Sequence, residues 1–289
     1  MMRQDDHQAP CGGHKAGPPS TRRDPGAAME LDGRVILVTG ARRGIGYAIA
    51  ARAGAAGATV ILHARERAQA EAAVVSLPGR ATVIPVGGDL ASVSEIRRML
   101  EAAGAAAGHL DGLVNNAGVA VVGPSAQLAE SDWDRQFDVN VKAAFFSSQA
   151  ALPLLLRGTE PSVVNVSSLH AETAIPGRAA YAASKAALSH LTRALAVEWA
   201  PLGIRVNAVA PGYVRTEQIS GLLARNGARL EARTPLGRLA EPEDIAEAVC
   251  FLLCPAARQV TGVVLRVDGG WVPYGGWDTE GDRAPVSPP

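Results

Sequence analysis

From Val35 to Val38 four apolar residues run without a break, and the next eight, Thr39-Gly40-Ala41-Arg42-Arg43-Gly44-Ile45-Gly46, hold three glycines. An unbroken apolar strand is one covered on both faces. A glycine turn directly after it, followed by a helical pattern to Ala56, is the opening of a strand–helix–strand unit. The pattern then recurs. Strands are predicted at Arg34–Thr39, Thr59–His63, Ala81–Val86, Leu110–Asn115, Ser162–Val166, Arg205–Ala210 and Val263–Val267. Helices are predicted at Arg67–Leu77, Asp132–Leu156 and Ala180–Ala200. Ser92 is an N-cap with Glu95 three residues on, and Pro242 opens a helix at its first position. Gly221–Arg233 reads as a helical flap with glycine breaks. Strands alternating with helices predict an α/β fold: a Rossmann-type, doubly wound, mainly parallel seven-stranded sheet with helices on both faces.

The 289 residues carry no formal net charge, which gives no reason to expect a nucleic-acid partner. No apolar run reaches the roughly 18 residues of a membrane span, so no membrane partner is expected. The Gly-, Pro- and Arg-rich residues 1–28 lack a signal peptide's apolar segment. They are expected to be disordered, with Met29 a candidate initiator. A single catalytic domain is expected over 29–277, a loose tail over 278–289, and a cytoplasmic location by default. Of three cysteines, Cys250 and Cys254 read as core thiols. Cys11 and His14 lie in the polar N-terminal stretch, and no metal site is expected.

Gly40, Gly44 and Gly46, with Arg42, Arg43 and Ile45 between them, sit where a strand meets a helix N-terminus. Missing side chains there let backbone approach a pyrophosphate, and the helix end stabilises its charge. The spacing is Gly-x3-Gly-x-Gly, which on its own also fits a plain tight turn. The second strand ends Leu62-His63-Ala64-Arg65, without the terminal acid that would receive the ribose hydroxyls of NAD(H). Arg65 offers a 2′-phosphate a bidentate partner, with Arg43 near enough to assist. The reading favours NADP(H), with NAD(H) possible. Asp89-Leu90 follows the third strand, where Asp89 is either an adenine contact or an ordinary turn acid. Asn115-Asn116-Ala117-Gly118 follows the fourth; its asparagines can tie strands and cofactor ribose, and Ala117 and Gly118 permit close passage.

Tyr181 and Lys185, in Tyr181-Ala182-Ala183-Ser184-Lys185, share one helix face. A nearby ammonium favours the phenolate, letting Tyr181 exchange a proton with a substrate oxygen. Lys185 can also bind nicotinamide ribose hydroxyls. Ser168, closing the fifth strand, can polarise that oxygen; neighbouring Ser167 points the other way by strand alternation and reads as structural. Asn140 is polar in an apolar helical stretch and can hold a water toward Lys185. Pro211-Gly212-Tyr213-Val214-Arg215-Thr216 forms a rigid turn after the sixth strand. Val214 can meet the carboxamide through its backbone, and Thr216 the carboxamide or a phosphate.

Together these segments, with Thr261-Gly262 and Asp268-Gly269-Gly270, resemble the short-chain dehydrogenase/reductase family over roughly Leu31–Trp271. Pro235-Leu236-Gly237-Arg238 and Glu241-Pro242-Glu243-Asp244 point to its branch of 3-oxoacyl-carrier-protein reductases and sugar or polyol dehydrogenases. The resemblance implies a catalytic set of Asn140, Ser168, Tyr181 and Lys185, a small carbonyl or alcohol substrate, and a homotetramer or homodimer packed through its long helices. It also places His170, Glu172 and Arg178 in a substrate loop. There they either bond a polyhydroxylated or acidic substrate or face solvent, with His170 the substrate-binding candidate. The expected activity is reversible NADPH-linked carbonyl reduction. A 3-oxoacyl-carrier-protein reductase is the alternative, disfavoured by the absence of cations in Gly158-Thr159-Glu160-Pro161 and Ala200-Pro201-Leu202. A noncatalytic dinucleotide-binding scaffold is the second alternative.

Overall fold

The computed structural model describes residues 31–77 and 81–274. Its first strand, β1 (Val35–Val38), is buried at every position. Ile36 and Val38 enter one apolar cluster, and Val35 and Leu37 enter the other. Period-two alternation therefore sorts one apolar run onto two covered faces. The same division recurs in β2 (Thr59–Ala64), where Val60 and Leu62 face one cluster and Ile61 the other. A fully buried Leu or Ile contributes about 1.5–3 kcal/mol, which makes these strands the framework of the fold.

The other strands are β3 (Val83–Gly87), β4 (Gly112–Asn115), β5 (Ser162–Val166), β6 (Arg205–Pro211) and β7 (Val264–Val267). The sheet order is β3-β2-β1-β4-β5-β6-β7, and every pairing is parallel. The order reverses between β1 and β4, which opens a crevice at the carboxyl ends of the strands. Helices α1 (Gly44–Ala55), α2 (Arg67–Val75) and α8 (Pro242–Leu253) supply buried residues to one face. Helices α3 (Val93–Ala107), α5 (Ala143–Leu155) and α6 (Ala179–Trp199) cover the other. Cys250 and Cys254 are both buried, and burial pushes the Cys250 thiol up to about 12, so it is inert.

Three local expectations are modified. The predicted helix Asp132–Leu156 is α4 (Glu130–Phe137) joined to α5 through a π-turn at Asp138–Lys142. The amide of Ala143 reaches back to the Asp138 carbonyl, five residues earlier. Such a turn adds one residue to the helix and rotates the turns beyond it, and functional sites often use it. The flap, α7 (Ser220–Arg233), runs unbroken through Gly221 and Gly227. A helical glycine costs only about 1 kcal/mol, which the flanking Leu, Ala and Arg formers tolerate. Ser92 caps α3 by accepting from the Glu95 amide, but the Glu95 carboxylate accepts from the Asp89 amide instead of closing a capping box. The expectations for residues 1–28, Cys11, His14, Met29 and 278–289 lie outside the described residues.

Candidate active site

A cavity of about 720 Å³ lies over the carboxyl ends of the strands. Its wall is built from the segments that follow β1 through β6, so the parallel topology alone gathers residues as distant in the chain as Gly40 and Ile219.

Backbone demands shape the glycine loop. Gly40 and Gly44 take φ of +63° and +57°, where a side chain is strained. A Cβ on Gly46 would lie 2.4 Å from Asn116 Nδ2 and 2.5 Å from the Gly40 carbonyl oxygen. The loop is fastened by Asn116, whose Nδ2 donates to the Thr39 and Gly40 carbonyls at 2.9 and 3.1 Å. Asn115 ties β4 to β5 and α5 through Asn165 Oδ1 (2.9 Å) and Ser148 Oγ (3.0 Å). The strand-tying role expected of this pair is therefore present in the geometry.

His63 is a feature that sequence reasoning missed. It is buried at the end of β2; Nδ1 accepts from the Gly40 amide (3.1 Å), and Nε2 lies 2.9 Å from the Gly88 carbonyl, to which it donates. Those two bonds require the neutral imidazole, and burial pushes its pKa down. Its position two residues before Arg65, inside the cofactor-discriminating segment, was the available signal. His170 shifts in the same direction, to about 4. A histidine whose folded pKa is depressed adds stability that is complete above its ordinary 6.5 and is lost as pH falls through the folded value. The thermal midpoint should therefore drop as pH is lowered from about 6.5 to about 5, before most carboxylates titrate. A midpoint that stays level across that interval would exclude this role for the two histidines.

At the rim near β2, Arg65 Nη2 lies 2.9 Å from Asp89 Oδ2, and Asp89 Oδ1 accepts from the Ala91 amide at 3.0 Å. Asp89 is thus both a turn acid and the resting partner of Arg65. Arg43 pairs with Glu217 at the start of the flap, at 2.9 Å. Both pairs are largely exposed and add little stability, so an incoming anion can displace them. Arg42 is exposed and does not line the cavity. The remaining cofactor candidates do line it: Ile45, Leu90, Ala117, Gly118, Pro211, Gly212, Val214 and Thr216. Thr216 comes close to Gly44, where an added Cβ would lie 3.6 Å from its methyl group.

At the other end stand Ser168, Tyr181 and Lys185, all bordering the cavity. Ser167 points away and bonds Ser189 Oγ (2.7 Å) and the Lys185 carbonyl (3.1 Å), as alternation requires. Lys185 Nζ is buried and donates to the Val166 carbonyl at 2.8 Å. Burial lowers its pKa to about 8. Tyr181 departs from expectation. Burial raises its pKa, and this outweighs the opposing effects of the Ser168 hydrogen bond and the Arg178 charge. Lys185 lies 5.9 Å from the ring centroid and is itself bonded to backbone, so the expected net depression does not arise.

Asn140 sits in the π-turn behind this wall. Its Nδ2 donates to the Val119 carbonyl and to Ser184 Oγ (both 2.9 Å), and its Oδ1 accepts from the Val119 amide at 2.8 Å. The side chain thereby holds the Val119 loop against α6. Tyr213, unassigned from sequence, borders the cavity and stacks edge-on with His170 and Trp271, at 6.0 and 4.8 Å between centroids. Glu172 turns away and is held by Arg266.

The residues present fit a dinucleotide. Side-chain-free backbone lies beside a helix N-terminus, arginines stand at one end of the cavity, and a Tyr–Lys–Ser cluster stands at the other. A family model described as Enoyl-(Acyl carrier protein) reductase matches residues 40–272. The chain belongs to the short-chain dehydrogenase/reductase family. This short-chain dehydrogenase/reductase is 40% identical over 247 residues to 2-(S)-hydroxypropyl-CoM dehydrogenase 3 of Xanthobacter autotrophicus, covering 83% of this chain and 97% of that one. It is 36% identical over 247 residues to a 3-oxoacyl-(acyl-carrier-protein) reductase of Thermotoga maritima, covering 84% and 100%. A solved structure from Beutenbergia cavernae, proposed to be an NAD(P)-dependent gluconate 5-dehydrogenase and holding NADP at low occupancy, matches with TM-score 0.78 and 38% identity. That match covers 85% of this chain and 99% of the other. The chain is therefore an NAD(P)-dependent oxidoreductase of a family acting on alcohol and carbonyl groups.

Proposed function

We propose that this enzyme is an NADPH-linked reductase of a small ketone or aldehyde, reversible toward alcohol oxidation, with Tyr181 exchanging the proton. The observation that supports it is one continuous cavity with Arg43 and Arg65 at one end and Ser168, Tyr181 and Lys185 at the other. The glycine loop and the amino end of α1 would hold the pyrophosphate, Arg65 and Arg43 the 2′-phosphate, and Lys185 the nicotinamide ribose. Pro211, Gly212, Val214 and Thr216 would border the nicotinamide. When bound, the nicotinamide supplies the hydride for reduction or accepts it in oxidation. Ser168 donates to the carbonyl oxygen, drawing electron density from the carbon. Tyr181 gives its hydroxyl proton to the same oxygen as the new C–H bond forms, leaving a phenolate. Its raised pKa keeps that proton in place at neutral pH, which suits reduction.

A carrier-protein thioester is the second reading, supported by the similarity to the Thermotoga maritima reductase. Absorbance at 340 nm tests both, using pure protein, NADPH or NADH, and a panel of ketoses, simple ketones, oxo acids and 3-oxoacyl thioesters free or on acyl-carrier protein. Selective NADPH-dependent turnover of small carbonyls supports the first reading. Turnover confined to carrier-bound thioesters replaces it with the second. Cofactor binding without turnover of any carbonyl would reject both and favour a dinucleotide-binding scaffold.

A further inference from the structure

The catalytic end of the cavity carries a charge imbalance that hydride transfer does not use. Among the described residues, only two acids line the cavity, Asp89 and Glu217, and both are taken by Arg65 and Arg43. Three lining cations in that same set pair with no carboxylate: Lys185, Arg135 and Arg178. Lys185 is engaged with the Val166 carbonyl, and Arg135 is exposed on α4. Arg178 is partly buried just ahead of α6, with its guanidinium carbon 5.8 Å from the Tyr181 ring centroid. It lines the same cavity as His170, Tyr181 and Tyr213, and its charge acts on all three. Glu172, the one acid between Ser168 and Tyr181, is held away by Arg266.

His170 does not supply a second cation. Thr173 spends its hydroxyl proton on the Leu169 carbonyl (3.1 Å), so its oxygen accepts from His170 Nδ1 at 3.3 Å. That leaves Nε2 as a lone pair, which repels an anion and accepts from a hydroxyl. A partly desolvated guanidinium beside the reacting groups, without an acid to meet it, calls for an anionic ligand. One guanidinium matches one carboxylate; a phosphate dianion would keep a charge uncompensated.

We propose that Arg178 binds a carboxylate of the substrate, so that the carbonyl compound reduced at Tyr181 is an oxo acid and its alcohol a hydroxy acid. This rests on the oxidoreductase reading above. The test is kcat/KM with NADPH for straight-chain oxo acids from 3-oxobutanoate to 5-oxohexanoate, each paired with its methyl ester, and for dihydroxyacetone phosphate. The acid-to-ester ratio is measured in wild type, R178Q and R135Q. Using the ratio cancels any effect of Arg178 on Tyr181 ionisation, because acid and ester share that step. The expected result is a wild-type preference for at least one acid over its ester, reduced about 10- to 100-fold in R178Q through KM, with R135Q near wild type. An unchanged ratio in R178Q, the same fall in R135Q alone, or a wild-type preference for esters or the phosphate would overturn the assignment and leave the oxidoreductase reading intact. No turnover of these probes by a protein that reduces other carbonyls of the wider panel would overturn the assignment alone; no turnover of any carbonyl in either set, with NADPH shown to bind, would overturn both.

Discussion

Tyr181→Phe is expected to lower turnover by about 100- to 10,000-fold, the usual contribution of a positioned proton donor, with the NADP(H) dissociation constant within a few-fold of wild type. The substitution removes one oxygen and keeps the ring that packs beside His170 and under Arg178. In the proposed binding mode the cofactor rests on the glycine loop, the arginines and Lys185, none of which the change removes. Single-turnover absorbance at 340 nm and fluorescence titration of NADPH separate the two quantities. The wild-type pH profile tests the same role independently. Burial raises the Tyr181 pKa, so alcohol oxidation, which needs the phenolate, should accelerate as pH climbs toward that raised value, while carbonyl reduction should decline there. The variant should lose this limb. Unchanged turnover in Tyr181→Phe would remove the tyrosine from the chemistry and shift attention to Lys185, whose depressed pKa of about 8 would make it the next proton carrier.

Arg65→Asp is expected to invert cofactor preference. Arg65 is largely exposed and its resting bond is to Asp89, so its loss should scarcely change stability. Toward NADPH the effect is large. A charge-assisted bond to phosphate is lost, about 10- to 100-fold in affinity, and a carboxylate is placed beside Asp89, where it repels a phosphate. Toward NADH the new carboxylate stands at the end of β2, where an acid can accept ribose hydroxyls. Comparing kcat/KM for the two cofactors in wild type and variant measures the change. If the preference does not move, Arg43 is the main phosphate anchor, and releasing it from Glu217 becomes the step to examine.

Much of this was legible in the chain because its causes are local. Strands covered on both faces are mostly apolar, so Val35–Val38 of β1 and Val60–Leu62 of β2 stand out as runs. A backbone that must approach a phosphate needs glycine at particular positions, and Tyr181 and Lys185 advertise a shared face by their spacing alone. Pro242 marks a helix start through chemistry confined to its first turn. Ser167 and Ser168 separate by alternation, and their hydrogen bonds agree.

The remaining features depended on partners distant in sequence. Periodicity tells which face of a strand is covered, but not that His63 will bridge Gly40 and Gly88, nor that Asp89 will hold Arg65 and Glu217 will hold Arg43. The turn of the loop leaves Arg42 in solvent and brings Arg43 to the cavity. The π-turn that carries Asn140 is a one-residue change in hydrogen-bond register with no compositional mark, and it commits that side chain to Val119 and Ser184. The sign of the Tyr181 shift likewise came from desolvation, a property of everything packed around the ring. By itself the sequence determined the sheet, the glycine turn after β1 and the shared helix face of Tyr181 and Lys185, because strand burial, backbone freedom and helical spacing are written locally. The tertiary structure decided the direction of the pKa shifts, the resting ion pairs and the placing of Arg178 without a carboxylate partner among the described residues, because electrostatics depends on which distant groups share a cavity.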